Sequence, residues 1–306
     1  MKAIQYTAFG DSSVLHLAQI DKPTVKEDEV LIKITAVTIN PFDIKVRSGS
    51  MQAVMPVQLP YLPGSDAAGI IEAVGSKTSR LKVGDEVFAT SYGGTFAEFA
   101  AVKEEQVALK PTNISANEAV SLAIPIATAY TLLIEDAQLQ AGQKILIHGA
   151  GGGVGSIMVQ IAKALGAYVI GTASGEGVDM VKNLGADEVI DYKTQDFTQL
   201  VKDADIVADL VGGETLAKSF SVLKKGGKLL STVMPPDARQ AEKFGVMAKM
   251  VQSSPSSKKL EFGKKLVEEG KIKPQVAKIM KLEEAAAAQD LVTNGGVNGK
   301  IVLEIN

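Results

Sequence analysis

Between residues 2 and 102 the apolar positions fall in short runs that alternate or are rich in β-branched residues: MKAIQY, VLHLAQI, EVLIKITAVTI, AGIIEAVG, EVFATS and TFAEFAAV. Turns such as Pro63-Gly64 and Gly84-Asp85 separate them, and short strands at this spacing predict a small β-barrel. From Ser115 to Asp136 the period turns helical, led in by Asn117-Glu118, with Pro125 expected to break the helix into two pieces at a domain boundary. From Gln143 strand and helix alternate, with strands predicted near 144–148, 168–172, 187–190, 205–210 and 228–232. Units of this kind wind a parallel sheet by right-handed crossovers.

The stretch KFGVMAKMVQ, Lys243–Gln252, fits two patterns. Met247, Met250 and Val251 suit a helix, whereas Phe244, Val246, Ala248 and Met250 alternate as in a strand; the strand reading, a sixth strand at the sheet edge, is preferred. An apolar edge needs a cover, so pairing with the same strand of a second copy, a homodimer through 243–252, is expected. A helix to Glu269, a link from Gly270 to Pro274, a helix around Leu282–Leu291 and a closing strand GKIVLEI complete the pattern. The expected domains are 1–123, completed by 271–306, and 124–270.

The densest signal is KILIHGAGGGVGSIMVQIAKALGA, Lys144–Ala167. Ile145, Leu146 and Ile147 form an apolar β run, and Ile157, Val159, Ile161, Ala162 and Leu165 recur at helical spacing. The turn between them spells AxGxxG: Ala150 holds the first position, Gly152 lets backbone approach a pyrophosphate, and Gly155 permits close helix–strand contact. Amides at the helix start would then face a diphosphate. A glycine-rich turn alone is weak evidence, but strand before, helix after and three further βα units favour dinucleotide binding.

Composition narrows the chemistry. Net charge is -3 over 306 residues with both signs scattered, so nothing suggests a nucleic-acid partner. Lys258, Lys259, Lys264 and Lys265 are interleaved with Leu260, Phe262, Leu266 and Val267, which reads as the solvated face of an amphipathic helix. No leader pattern and no run of about 20 apolar residues stands out, so a cytoplasmic protein without membrane contact is expected. The chain has no cysteine, which removes disulfides, thiolate catalysis and cysteine-ligated zinc; only His16 and His148 remain as imidazoles.

Several motifs in order, the MKA start, NPFDIKVRSG, PGSDAAG, VGDEVFA, TAYTLL, HGAGGGVG, LGADEVIDY and GKIVLEI, resemble the medium-chain dehydrogenase/reductase superfamily, specifically its zinc-free quinone oxidoreductase branch that includes zeta-crystallin. The resemblance implies an α/β protein: a GroES-like β-barrel domain interrupted by a Rossmann doubly wound parallel sheet, with the active site in the cleft between them. It implies that Gly151, Gly152, Gly153 and Val154 line a diphosphate and that Thr128 lies near a nicotinamide. The end of the second strand of the alternating region reads Gly171-Thr172-Ala173-Ser174, without the acid that NAD enzymes use on the ribose. Ser174, Tyr192 and Lys193 match positions that contact the 2'-phosphate in NADP-using relatives, so NADP(H) is the expected cofactor. Gly177 and Asn298 stand where many relatives carry lysine and arginine, and Glu176 could favour NADH or simply complement a helix start.

Strand ends line the cofactor crevice of an open parallel sheet, which places Leu210, Val211 and Ser231 beside it through their backbone. Asn40 and Asp43 are the first-domain candidates for orienting substrate or nicotinamide, against a reading as turn and helix-cap residues. Tyr92 could bond a substrate carbonyl or be a core tyrosine. No general acid and no metal site is identified. Hydride transfer from NADPH to a quinone is the expected activity; reduction of an enone or alkenal double bond, or noncatalytic NADPH binding, are the alternatives.

Overall fold

The computed structural model describes residues 1–305; Asn306, expected at the end of the first domain, lies outside the described residues. Strands β1 to β7 are Lys2–Gln5, His16–Gln19, Glu29–Thr38, Asp66–Val74, Glu86–Thr90, Phe99–Lys103 and Val107–Leu109. Strands β8 to β13 are Lys144–His148, Tyr168–Ala173, Glu188–Asp191, Ala204–Asp209, Leu223–Ser231 and Met247–Met250, and β14 and β15 are Val276–Lys281 and Lys300–Glu304. Helices α1 to α9 are Pro41–Arg47, Ala116–Tyr130, Gly153–Ala164, Glu176–Asn183, Phe197–Leu200, Gly213–Ser219, Ala238–Phe244, Ser257–Glu268 and Ala285–Asn294.

The chain divides into two compact units. The first takes Met1–Ile124, Pro255–Gly270 and the stretch from Pro274; the second takes Pro125–Ser254 and Lys271–Lys273. The expected second domain ran to residue 270, but α8 packs on β5 and β7 of the first unit. Its apolar face explains the difference: Leu260, Gly263 and Val267 are buried, and the Val267 carbonyl accepts from Asn113 Nδ2 at 3.1 Å.

In the first unit the long strand β3 organises a seven-stranded sheet, ordered β14-β15-β3-β4-β5-β7 with β6 also paired to β3. One side of β3 pairs with β4; the other pairs with β6 over 29–33 and with β15 over 36–38. Val30, Ile32 and Ile34, alternating on β3, pack into one core with Ile71, Phe96, Ile301 and Leu303. These residues are two apart along their strands, as a one-sided sheet face requires.

The second unit is a six-stranded parallel sheet ordered β10-β9-β8-β11-β12-β13. Order reverses between β9 and β11 around β8, the arrangement that opens a crevice at the carboxyl ends of the strands. Each expected strand is present. Lys243 and Phe244 end α7 rather than joining the edge strand, because Gly245 with φ 64 supplies a left-handed helix stop; β13 then starts at Met247.

Helix α2 runs through Pro125 without breaking and continues as a π-helix over Thr131–Asp136. Its start is a reciprocal capping box, in which Ser115 N donates to Glu118 Oε2 at 2.8 Å and Glu118 N to Ser115 Oγ at 3.3 Å. By length and composition alone Ala116–Asp136 is apolar enough to cross a bilayer, against the expectation that no such run exists, and 72% of its apolar window is buried inside the protein.

The glycine turn joins β8 to α3. Gly149 has φ 71, the left-handed region, and the Ala150 amide donates to the Thr172 carbonyl on β9 at 3.0 Å. A Cβ on Gly155 would run into the Gly149 carbonyl and stand 2.7 Å from Ala150 Cα, whereas one on Gly152 would meet only the Gly149 oxygen at 3.4 Å. Gly155 therefore serves packing and Gly152 serves access. Thermal melts should show Gly155→Ala destabilised by about 1–3 kcal/mol, with Gly152→Ala close to the parent; equal losses would contradict the assignment.

Candidate functional site

The second unit presents a helix start prepared for an anion. Gly152 caps α3 with no side-chain acceptor among the described residues, so the first-turn amides of Gly153, Val154 and Gly155 have no partner within the helix. Gly152, Gly153 and Val154 are partly exposed, while Ala150 and Gly151 are buried. Ala150 packs beside Gly171, where an added Cβ would lie 2.9 Å from the Ala150 methyl. It shapes the turn, and its amide is already spent on Thr172.

Behind the turn lies a chain of hydrogen bonds with one consistent direction. Ser219 Oγ donates to the Thr215 carbonyl at 2.7 Å and therefore accepts from His148 Nε2 at 3.1 Å. His148 Nδ1 then accepts from Thr172 Oγ1 at 3.2 Å, and that hydroxyl accepts from the Gly149 amide at 3.3 Å. Burial pushes the imidazole down to about 4, so His148 is neutral at physiological pH, as this chain demands. His148 is thus a buried support of the turn; His16 is exposed on β2.

At the end of β9, Ser174 Oγ donates to Tyr192 Oη at 2.8 Å, and Lys193 follows with its amide bonded to Asp191 Oδ1 at 3.0 Å. Ser174 is half-buried, and Tyr192 and Lys193 are exposed. Glu176 opens the first turn of α4 together with Asp179, where the helix dipole favours acids. Leu210 and Val211 follow β11 in a turn that Asp209 holds by accepting from the amides of Val211 and Gly212 at 3.1 and 2.9 Å. Ser231 is buried and its hydroxyl donates to Asp209 Oδ2 at 2.7 Å, so its side chain belongs to this scaffold. Thr128 is partly exposed on α2.

The first unit places Asn40 and Asp43 in a buried polar cluster. Lys300 Nζ donates to Asn40 Oδ1 at 2.6 Å and to the Ile39 carbonyl at 2.9 Å. Asn40 Nδ2 donates to Asp66 Oδ2 at 3.1 Å and to the Thr38 carbonyl at 3.2 Å, and Asp66 also accepts from Thr38 N and Oγ1 at 2.7 and 2.5 Å. Both ends of the Asn40 carboxamide are therefore engaged inside the protein. Asn40 occupies the cap position of α1 without a capping bond, and Asp43 sits in the first turn.

Asp43 Oδ1 accepts from Ser65 Oγ at 2.5 Å, whereas its Oδ2 is buried with no partner among the described residues. Burial, aided by the Asp66 charge and opposed by the Ser65 bond and Lys300, pushes the Asp43 carboxyl up to about 7. Lys300 is lowered by burial and supported by Asp66 and Asp43. Ser65 and Lys300 lie inside the PGSDAAG and GKIVLEI motifs, which give neither of them a role; the available signal for Lys300 was a lysine heading the apolar strand KIVLEI.

Tyr92 is 52% exposed, on a turn anchored elsewhere: Tyr61 Oη donates to the Tyr92 carbonyl at 2.8 Å. Gly93 leaves room for that phenol, since a Cβ there would collide with it.

Known proteins fit this geometry. The alcohol dehydrogenase GroES-like domain family matches residues 26–112 and the zinc-binding dehydrogenase family residues 184–303. Human quinone oxidoreductase is 34% identical over 99% of this chain and 97% of its own length. The chain belongs to the medium-chain dehydrogenase/reductase family. Within this family it is 38% identical to the 2-methylene-furan-3-one reductase of Solanum lycopersicum, over 99% of this chain and 79% of that protein. The Escherichia coli quinone oxidoreductase complexed with NADPH superposes with a TM-score of 0.90 at 26% identity, covering 100% of both chains. The fold is accordingly the family's GroES-like domain with a Rossmann sheet.

One matching family description carries zinc, and the residues here do not fit it. Cysteine is absent from the sequence, and no group of three or more His, Cys, Asp or Glu able to hold a metal occurs among the described residues. The carboxyls that do come together, Asp43 and Asp66, are balanced against Lys300.

The raised Asp43 carboxyl sets a direction for stability. The folded protein keeps a proton that the unfolded chain releases above its ordinary value of 3.8, so this contribution is complete below about pH 4 and is lost as pH rises through about 7. Melts of Asp43→Asn, which retains an oxygen for Ser65, should lack this decline of up to about 1.4 kcal/mol per pH unit. An unchanged pH dependence in the variant would show that Asp43 ionises normally.

Proposed function

We propose that the protein is a zinc-independent, NADP(H)-dependent oxidoreductase that delivers hydride to a quinone. Bound NADPH would supply the hydride, as the cofactor does in this class of chemistry. The observation that carries the reading is the open start of α3, with Ser174 just after β9 bonded to Tyr192 just after β10, where Lys193 follows. The amides of Gly153 and Val154 would hold the diphosphate, with Gly152 leaving room for its approach. Ser174, Tyr192 and Lys193 would hold the 2'-phosphate: two hydroxyls and one ammonium meet an anion there, and β9 ends without a carboxylate. Thr128 and the backbone at Leu210, Val211 and Ser231 would orient the nicotinamide.

The substrate is a small conjugated carbonyl. A quinone spreads arriving charge onto its own oxygens, which suits a site without metal ligands. A second reading, reduction of an enone double bond, is favoured by the likeness to the tomato methylene-furanone reductase. Tyr92, exposed on its anchored turn, would contact the acceptor in either case. The apolar edge strand β13, with Met247 52% exposed, would pair with its counterpart in a homodimer.

Initial rates of NADPH and NADH oxidation with 1,4-benzoquinone, 9,10-phenanthrenequinone and an alkenal test the reading. NADPH with a quinone is expected to be the preferred pair; turnover with the alkenal alone would move the activity to double-bond reduction, and binding without any turnover would leave a noncatalytic NADPH-binding protein. Ser174→Asp should weaken NADPH by roughly tenfold or more and NADH far less. Equal losses for both cofactors would place the 2'-phosphate elsewhere.

A further inference from the structure

Lys300 and Asn40 are 260 positions apart in sequence and joined by a buried 2.6 Å hydrogen bond. An ammonium donates and never accepts, so it dictates which end of the carboxamide faces it. Asn40 must present Oδ1 to Lys300, and its Nδ2 is thereby turned to Asp66. Asp66 then receives three donors, from Asn40 Nδ2, Thr38 N and Thr38 Oγ1. Burial raises both carboxyls: at Asp66 it is opposed by Lys300, Thr38 and Asn40, whereas Asp43 is opposed by Ser65, Lys300 and Asn40, feels the Asp66 charge, and keeps a buried Oδ2 without a partner among the described residues.

We propose that Lys300 is a positioning residue of the buried cluster at the start of α1, fixing the orientation of Asn40 and supplying the one buried positive charge that Asp66 and Asp43 share. The proposal rests on the oxidoreductase reading only for its consequence in turnover. The groups that face Asp43 are Asp66 from β4, Lys300 from β15, and the phenols of Tyr6 and Tyr61, whose titrations Asp43 shifts. Arg47, on the same helix, acts on Tyr6 and is itself answered by Asp11 and Asp290. Of these, Lys300 is the cation that bears directly on Asp43.

The test follows the protonated Asp43 carboxyl by infrared difference spectroscopy against Asp43→Asn, alongside the pH profile of NADPH oxidation, in the full chain. Lys300→Met should move the Asp43 midpoint, and any limb of the rate profile that follows it, to higher pH by at least about half a unit. Lys300→Arg should return it toward the parent. Asp66→Asn, which removes a like charge and keeps Lys300, should move it to lower pH, and so serves if Lys300→Met does not fold. A fall in melting temperature and rate at every pH with an unmoved midpoint would make Lys300 merely structural and overturn the proposal, as would an unmoved midpoint in Asp66→Asn. Absence of NADPH oxidation by the parent would sink the oxidoreductase reading, while the infrared midpoints would still decide the role of Lys300.

Discussion

A charge taken out of water has to be answered by partners inside the protein, and the first unit is arranged around one such answer. The Lys300–Asn40–Asp66 linkage lies where β3 ends, α1 begins, β4 begins and β15 begins. The ladder registers lead to the same place, with Thr38 opposite Val302 and Ala36 opposite Ala68. Ile301 and Leu303 enter the apolar core next to Lys300, and Ala67 does so next to Asp66. Breaking one partner of this cluster therefore disturbs four element ends together, which is more than the value of any single hydrogen bond.

The second unit solves a different problem. Here the limiting quantity is the distance between backbones, because α3 has to start hard against β8 for its amides to point outward. Gly155 and Gly171 give up their side chains so that Ala150 can sit between helix and sheet. The hydrogen-bond chain from Gly149 through Thr172 and His148 to Ser219 fixes the same turn from beneath. Packing from above and polar support from below leave the outer face of the turn to its amides.

Much of this was legible in the residues. The alternation of β3, the βα units and the glycine turn are periodic or local, and they appear where the pattern places them. Three features were not legible for identifiable reasons. Pro125 stays inside a helix because α2 is buried and followed by π-helical winding, so tertiary context overrides a local breaker. Helix α8 belongs with the first unit because of which apolar face it meets, and a helical period does not name its partner. Lys300 finds Asn40 across 260 residues, a pairing that no local motif encodes. Asn40 and Asp43 were visible as candidates, but the inward commitment of the Asn40 carboxamide follows only from that long-range contact.

The buried cluster also bears on how broad the acceptor range is on the proposed reading. With Asp66 and Asn40 engaged internally, few polar groups of α1 and β4 remain to match a particular carbonyl. Tyr92 stands on a turn held by Tyr61 through its backbone, so its side chain is not itself fixed by that bond. Sites that reject analogues by factors of about 10⁴ do so through buried polar groups left unpaired, whereas apolar slots discriminate by only about 1–3 kcal/mol per methylene. A first unit whose polar groups answer one another discriminates in the second way. Relatives named for a quinone and for a methylene-furanone are what one such scaffold with varied loops would produce.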